Sequence, residues 1–562
     1  MRTTLDGLEL PPKRRFGLWF LPDRWSLLAL VLALVVALPV LVVFASLLVP
    51  HGDVWRHLAS TVLLGYVGHT LALAAGVAVG VTLIGVGNAW LVTMCQFPGR
   101  NLFEWALLLP FAVPTYIIGY TYTDLLQYAG PVQTALRETM GWSRQDYWFP
   151  EIRSLGGAIM VMTLVLYPYV YLLSRAAFLS QSSCLLDVSR TLGRNPWRHF
   201  VEVAVPMARP AIVGGVALAL METMADFGTV QYFGISTFTT GIYRTWFALG
   251  EPMAAAQLAA VLMIFVLSML WIERTSRQRA RYDHTTAMRP LTCYHLPAGR
   301  GLLALLACLI PIALGFLLPT LALMRMAWRQ GDWLMAGKFL PLAWNSFTLA
   351  TLAAALTVGF AVLVTYGVRL RPNLPMKAAA SVAGLGYAIP GTVIAVGVLI
   401  PFARLDNLLN GWLEAHVGIS TGLLLSGTIF GLLFAYIVRF LAVALNSVEA
   451  GFGKINRHLD DAARSLGHRP GGTLLRVHLP LLRGALLTAV VIVFVDVLKE
   501  LPATLIMRPF NFETLAVRVY QFASDERLAE ASTAALAIVA VGLLPVILLS
   551  RAIAQSRPRS ED

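Results

Sequence analysis

Twelve apolar runs, each long enough as a helix to cross a bilayer's hydrocarbon core, follow one another along the chain. They are Ser26–Val49, Tyr66–Met94, Leu102–Leu126, Leu155–Phe178, Ala211–Tyr232 and Met253–Ile272, then Gly301–Met324, Leu342–Val368, Ala378–Pro401, Gly422–Leu445, Ala485–Ile506 and Ala529–Ser550. Hydrocarbon offers no water to backbone N–H and C=O groups, so a spanning chain that is not a closed barrel must be helical. The expected fold class is an all-α polytopic membrane protein. Pro39, Pro114, Pro168, Pro390 and Pro545 fall inside runs and predict kinks. The first run exceeds a signal-peptide core and reads as a retained anchor.

The second constraint is duplication. The polar stretch Asp461–Pro480, DAARSLGHRPGGTLLRVHLP, interrupts the apolar pattern, and Asp187–Pro206, DVSRTLGRNPWRHFVEVAVP, matches it without a gap at a shift of 274. Asp187 falls on Asp461, Arg190 on Arg464, Gly193 on Gly467, Pro196 on Pro470 and Pro206 on Pro480. Upstream, at a shift of 276, Pro114 falls on Pro390. A register held so far marks a duplicated half. The predicted organisation is a first half, 1–272, a basic linker, 273–300, and a second half, 301–562. Six spans per half bring both in from the same side, so the repeats are parallel.

Charge sets the orientation. Hydrophobic residues are 57% of the chain and charged residues 13%, with a net charge of +13. The basic residues sit in short loops, which argues for membrane orientation and against nucleic acid. With both termini in the cytosol, inside segments together with the adjoining span ends hold thirty Lys and Arg and outside loops twelve. Both inserts then face the cytosol. Cys95, Cys184, Cys293 and Cys308 show no CxxC spacing and read as reduced structural thiols.

Each insert reads as helix, break, helix: DAARSLG stops at Gly467, HRPGG turns, and TLLRVHL runs to Pro480. This resembles the EAA loop of ABC-transporter permeases, through Asp461-Ala462-Ala463, Gly467 and Val477-x-Leu479-Pro480 in the second copy. The first copy is a weaker match, with Asp187-Val188-Ser189, Gly193 and Val203-x-Val205-Pro206. Arg190 and Arg464 belong to the same inserts. The resemblance implies the type I ABC importer fold and a coupling helix docked on a cytoplasmic ATPase homodimer. It also implies a periplasmic binding protein and residence in the bacterial inner membrane. No GxxxxGK[ST] phosphate loop occurs, so the chain reads as a transport subunit that binds no cofactor itself, ATP-Mg being held by the partner.

Leu102–Leu126, Asn345–Ala350 (NSFTLA), Ala225–Gly234 (ADFGTVQYFG) and Phe238–Trp246 (FTTGIYRTW) look like the fused bacterial ferric-iron permeases, which implies Fe3+ as cargo. Fused thiamine permeases share the architecture, and a 6+6 secondary transporter would share the span count. A membrane enzyme lacks support, since no HExxH, CxxC or Ser/His/Asp arrangement stands out.

Glu222 and Asp226, four apart on the fifth span, and their repeat mates Asp496 and Glu500 on the eleventh, are the candidate cargo path. Hard trivalent iron suits carboxylate oxygens. Lys499 offsets the second pair, so Glu222 and Asp226 are the stronger pair. Structural ion pairing or helix capping would equally explain all four. Tyr116, Tyr120, Tyr122 and Asp124 could add oxygens, or form an interfacial belt. His69 and Glu104 read as bundle contacts.

Overall fold

The computed structural model describes residues 24–50, 52–181, 191, 195–278, 294–330 and 336–555. Among these, eleven helices are long and apolar enough to cross a membrane, or twelve if one pair bent by 88° counts as a single span. The chain is an all-helical membrane protein, as its hydropathy requires.

Most spans fall where the apolar runs place them, including Arg24–Ala45, Leu63–Met94, Leu155–Leu179, Pro252–Gln278, Ile429–Gly453 and Leu528–Gln555. Pro39, Pro168 and Pro545 lie inside helices. Pro114 and Pro390 do not, which corrects the expectation of kinks. The third span is Arg100–Ala106, a 3-10 turn Leu109–Ala112, and Thr115–Leu126. The ninth repeats this as Leu374–Ala383, Gly386–Ala388 and Gly391–Val417. Val113 and Ile389, each just before a proline, are extended. A following proline ring excludes its predecessor from the helical region, so the helix stops and restarts with proline as its cap.

The fifth and eleventh spans also end early, at Ala225 and Leu498, and short helices Gly228–Tyr232 and Pro502–Met507 follow. These paired breaks, at the same register in both halves, shape the centre of the protein.

Close helix approach rests on small residues. Along the second span Gly76, Gly80 and Gly85 face Ile159, Thr163 and Val170 of the fourth, so near that a Cβ on any of them would collide. Such stripes let membrane helices gain dispersion contact where no hydrophobic effect separates protein from lipid. The first span packs on the other half, against Leu374–Ala383 and Gly391–Val417, with Gly397 lying on Pro39. The seventh reciprocates: Gly315 lies on Leu164 and Pro110, and Tyr122 Oη donates to the Leu314 carbonyl at 2.8 Å. The halves are thus interlocked. A two-residue parallel bridge, Cys95–Gln96 with Tyr294–His295, ties the end of the second span to the approach to the seventh. Cys95 and Cys308 are buried thiols; Cys184 and Cys293 lie outside the described residues.

Candidate coupling inserts and central cavity

The second insert begins with the helix His458–Ser465. Leu466 caps it and Gly467 takes a left-handed φ of 79°. Glycine meets that conformation without the Cβ penalty any other residue would face. Pro470 then opens a helix whose next turn, Leu474–His478, is a π-turn leading straight into Leu479–Leu498. The expected stop at Pro480 is therefore corrected. The wide π-turn precedes the proline and makes room where its ring and missing N–H would break a regular ladder. The first insert repeats this device, with Pro196–His199, a π-turn Phe200–Ala204, and the span from Val205 through Pro206. Asp187, Arg190 and Gly193 lie outside the described residues.

Asp461 and Ala462 are exposed, Ala463 is buried, and Asp461 pairs loosely with exposed Arg464 at 3.7 Å. Such a pair adds little stability. Together with Leu466, 78% exposed, this is a face presented outward. The residue that fixes the insert is one that sequence reasoning passed over, Asp460. Its Oδ2 accepts from Arg369 Nε at 3.0 Å and Nη2 at 2.7 Å, and its Oδ1 lies 2.7 Å from His478 Nε2. Arg369 ends the eighth span and also donates to the carbonyls of Phe452 and Ile455. Tyr366 Oη donates to the Pro470 carbonyl at 2.7 Å. Burial by itself raises the Asp460 pKa, but the hydrogen bonds and charge of Arg369, then of His478, outweigh it and hold the carboxyl below its usual range. Arg369, at the end of the eighth span, is the joint between insert and membrane bundle.

At the centre, Glu222, Asp226, Asp496 and Glu500 line one cavity of about 120 Å³ between the halves. Their roles differ. Asp226 lies past the end of its helix, and its carboxylate accepts from the N–H groups of Thr229 and Val230, both at 3.1 Å, and from the Thr115 and Thr229 hydroxyls. Glu500 does the same one repeat later, accepting from Ala503 N at 2.9 Å, Thr504 N at 3.0 Å and the Thr504 hydroxyl. Both acids cap the short helices after the breaks. Arg439 lies 3.6 Å from Glu500 and Lys499 3.1 Å from Asp496. Gly391 starts its helix against the first pair, where a Cβ would strike both Arg439 and Glu500.

Among the described residues Glu222 caps no helix and pairs with no cation; its Oε1 accepts from the Tyr387 hydroxyl at 3.0 Å. The picture of two acids on one helical face gives way to Glu222 on the helix and Asp226 just past its end, both lining the cavity and only Asp226 capping the next helix. Tyr116 lines the cavity, Tyr122 is turned to Leu314, and Tyr120 is buried beside Tyr232. Asp124 is not among the lining residues. Glu104 is buried against Arg175 at 3.4 Å, a bundle contact as expected. Among the described residues, no three His, Cys, Asp or Glu side chains converge on a metal-binding geometry.

Two interlocked helical halves with a polar cavity between them, and a second insert that presents an outward face, suit a membrane transport protein. Residues 82–282 match the family described as the binding-protein-dependent transport system inner membrane component. Similarity to curated proteins covers nearly the whole chain. It is 26% identical over 498 residues to the Fe(3+)-transport system permease protein FbpB 2 of Haemophilus influenzae, covering 86% of this chain and 89% of that one. It is 24% identical to the putative ferric transport system permease protein FbpB 1 of the same organism, covering 88% and 79%. The molybdenum transport system permease protein ModB of Escherichia coli is 28% identical over 206 residues, 35% of this chain but 87% of that protein. Residues 82–282 thus match an inner membrane component of binding-protein-dependent transport systems, nearly the whole chain is similar to ferric transport permeases, and the protein is a multi-pass membrane transport subunit.

Proposed function

We propose that this chain carries ferric iron from an external binding protein through the inner membrane, driven by a separate ATPase pair docked on its two inserts. The observation that carries the reading is the oxygen-lined cavity between the halves, in a chain similar along its length to fused ferric permeases. Four carboxylates face two cations there, an excess of negative charge suited to a hard cation. Permeases named for molybdenum and sulfate match only about half of this chain or less, and that charge balance disfavours an oxyanion. In this arrangement both termini and both inserts lie in the cytosol, which the loop charges favour. ATP-Mg belongs to the partner. Asp461, Ala462, Arg464 and Leu466 of one insert, and the corresponding face of the other, meet the ATPase, while Arg369–Asp460 passes its motion to the bundle.

The test is uptake into vesicles holding the permease and its ATPase, with the binding protein outside. Radiolabelled ferric iron is expected to enter when ATP is supplied and to keep entering after ionophores collapse the proton and voltage gradients. Uptake that follows the proton gradient would make the chain a secondary transporter. Uptake of thiamine or sulfate with no iron uptake would replace the cargo.

A further inference from the structure

Two cavities in this protein meet at a single pair of phenols. The larger, about 1080 Å³, is lined by Leu270 and Arg274 near the end of the sixth span, and by Asn446 and Ser447 in the last turns before the second insert. It therefore lies on the insert side. The smaller is the carboxylate cavity. Tyr169 and Tyr387 line both, the two residues that do so among those described.

The two tyrosines come from opposite halves. Tyr169 lies on the fourth span beside Pro168, and Tyr387 in the 3-10 turn just before the Pro390 break. Their hydroxyl oxygens are 3.2 Å apart. A phenol has one proton, and that of Tyr387 goes to Glu222, so Tyr169 donates in the pair. The relay Tyr169 to Tyr387 to Glu222 crosses the interface twice. Phe111, which the repeat register pairs with Tyr387, packs edge-on against the Tyr169 ring at 4.6 Å and backs the contact.

We propose that Tyr169 and Tyr387 are the inner gate of the cargo path, and that a cation on Glu222 loosens it. This rests on the reading of the carboxylate cavity as that path. The physical reason is competition for one carboxylate. A cation held by Glu222 withdraws negative charge from it and so weakens the charge-assisted bond that Oε1 accepts from Tyr387. What remains is one neutral hydrogen bond between halves that the ATPase moves, a contact weak enough to break in each cycle. The break before Pro390 lets the Tyr387 turn shift without unwinding a continuous helix.

The test reads access, not cargo. In a chain whose four native cysteines are replaced, Ala225→Cys places a thiol in the carboxylate cavity and Ser447→Cys one in the larger cavity. Complexes with the ATPase are reconstituted with the insert side outward and treated with a membrane-impermeant maleimide. Ala225→Cys is expected to label slowly with both tyrosines present, and at least about tenfold faster with Tyr169→Ala and Tyr387→Ala together. Glu222→Ala, with the tyrosines intact, shifts the rate the same way. Ser447→Cys labels at one rate throughout, which reports an intact vestibule. A second pair, Tyr169→Phe with Tyr387→Phe, removes only the hydroxyls and is expected to raise the rate less. Equal Ala225→Cys rates with and without the two tyrosines would overturn the gate, as would rates already equal to Ser447→Cys in the unsubstituted pair. Iron uptake in the same vesicles separates the two readings: faster labelling without iron uptake upholds the gate and removes only the cargo.

Discussion

Asp460→Ala is expected to abolish coupled transport while leaving the protein inserted. The substitution strands the Arg369 guanidinium, only 11% exposed, beside an apolar wall that includes the Phe452 ring. Removing one member of a buried ion pair typically costs about 3–5 kcal/mol, because the remaining charge keeps its desolvation penalty. Here the cost falls on one joint, where the insert meets the end of the eighth span. The insert then moves without carrying the bundle. The measurement is iron taken up per ATP hydrolysed, which falls at least about tenfold while hydrolysis continues. Arg369→Lys gives the same phenotype, since an ammonium cannot reproduce the planar fork that engages Asp460 and two carbonyls. Asp461→Ala, at an exposed position, shifts stability by no more than about 0.5 kcal/mol. If Asp460→Ala kept normal uptake per ATP, the joint would be a bystander.

Glu222→Gln carries the second large effect. The amide keeps an acceptor for Tyr387 but removes the cavity carboxylate that, among the described residues, serves no cap and meets no cation. A unit charge 4 Å from a cation contributes about 4 kcal/mol at an effective dielectric of about 20, and a trivalent ion multiplies the attraction. Uptake is expected to fall roughly a hundredfold or more, with assembly and the ATP-binding partner's recovery unchanged. Asp226→Asn behaves differently. It weakens the cap on Gly228–Tyr232 by about 1 kcal/mol, seen as lower protein recovery. Asp496→Asn frees Lys499 into the cavity and is expected to slow uptake by repelling the cation. Glu500→Gln leaves Arg439 less compensated and acts on folding. Equal losses of uptake from Glu222→Gln and Asp226→Asn, at equal protein levels, would contradict this division of labour.

Much of the architecture was legible because bilayer physics leaves so few choices. An apolar run of about 20 residues must be a helix, and a repeat register carries one half's plan to the other. The breaks at Pro114 and Pro390 were not legible. Proline inside an apolar run is compatible with a kink or a stop, and packing against neighbours decides which. The π-turns at Phe200–Ala204 and Leu474–His478 carry no distinctive residue type. In the cavity, sequence identified four acids but not their division, since capping depends on the chain breaking just before the acid. The joint and the gate were the least accessible. Asp460 meets Arg369 across 91 positions, and Tyr169 meets Tyr387 across 218, separations that only the folded bundle brings together. Asp460 was hidden further by its neighbour Asp461, which the EAA spacing selects although its side chain points outward.

A separate ATPase is proposed to drive this permease through its two inserts. Gly467 offers the most direct access to that coupling, because a Cβ there meets open space and the added side chain projects away from the bundle. Gly467→Glu therefore places a charged arm on the docking face of the second insert, at a local strain cost of about 1 kcal/mol, and Gly193→Glu makes the matching change at its repeat mate in the first. The measurement is recovery of the ATPase with the purified permease, paired with ATP-driven iron uptake in vesicles. The expected result is a fully inserted double variant that recovers little or no ATPase and takes up no iron. Normal ATPase recovery together with normal uptake would contradict it.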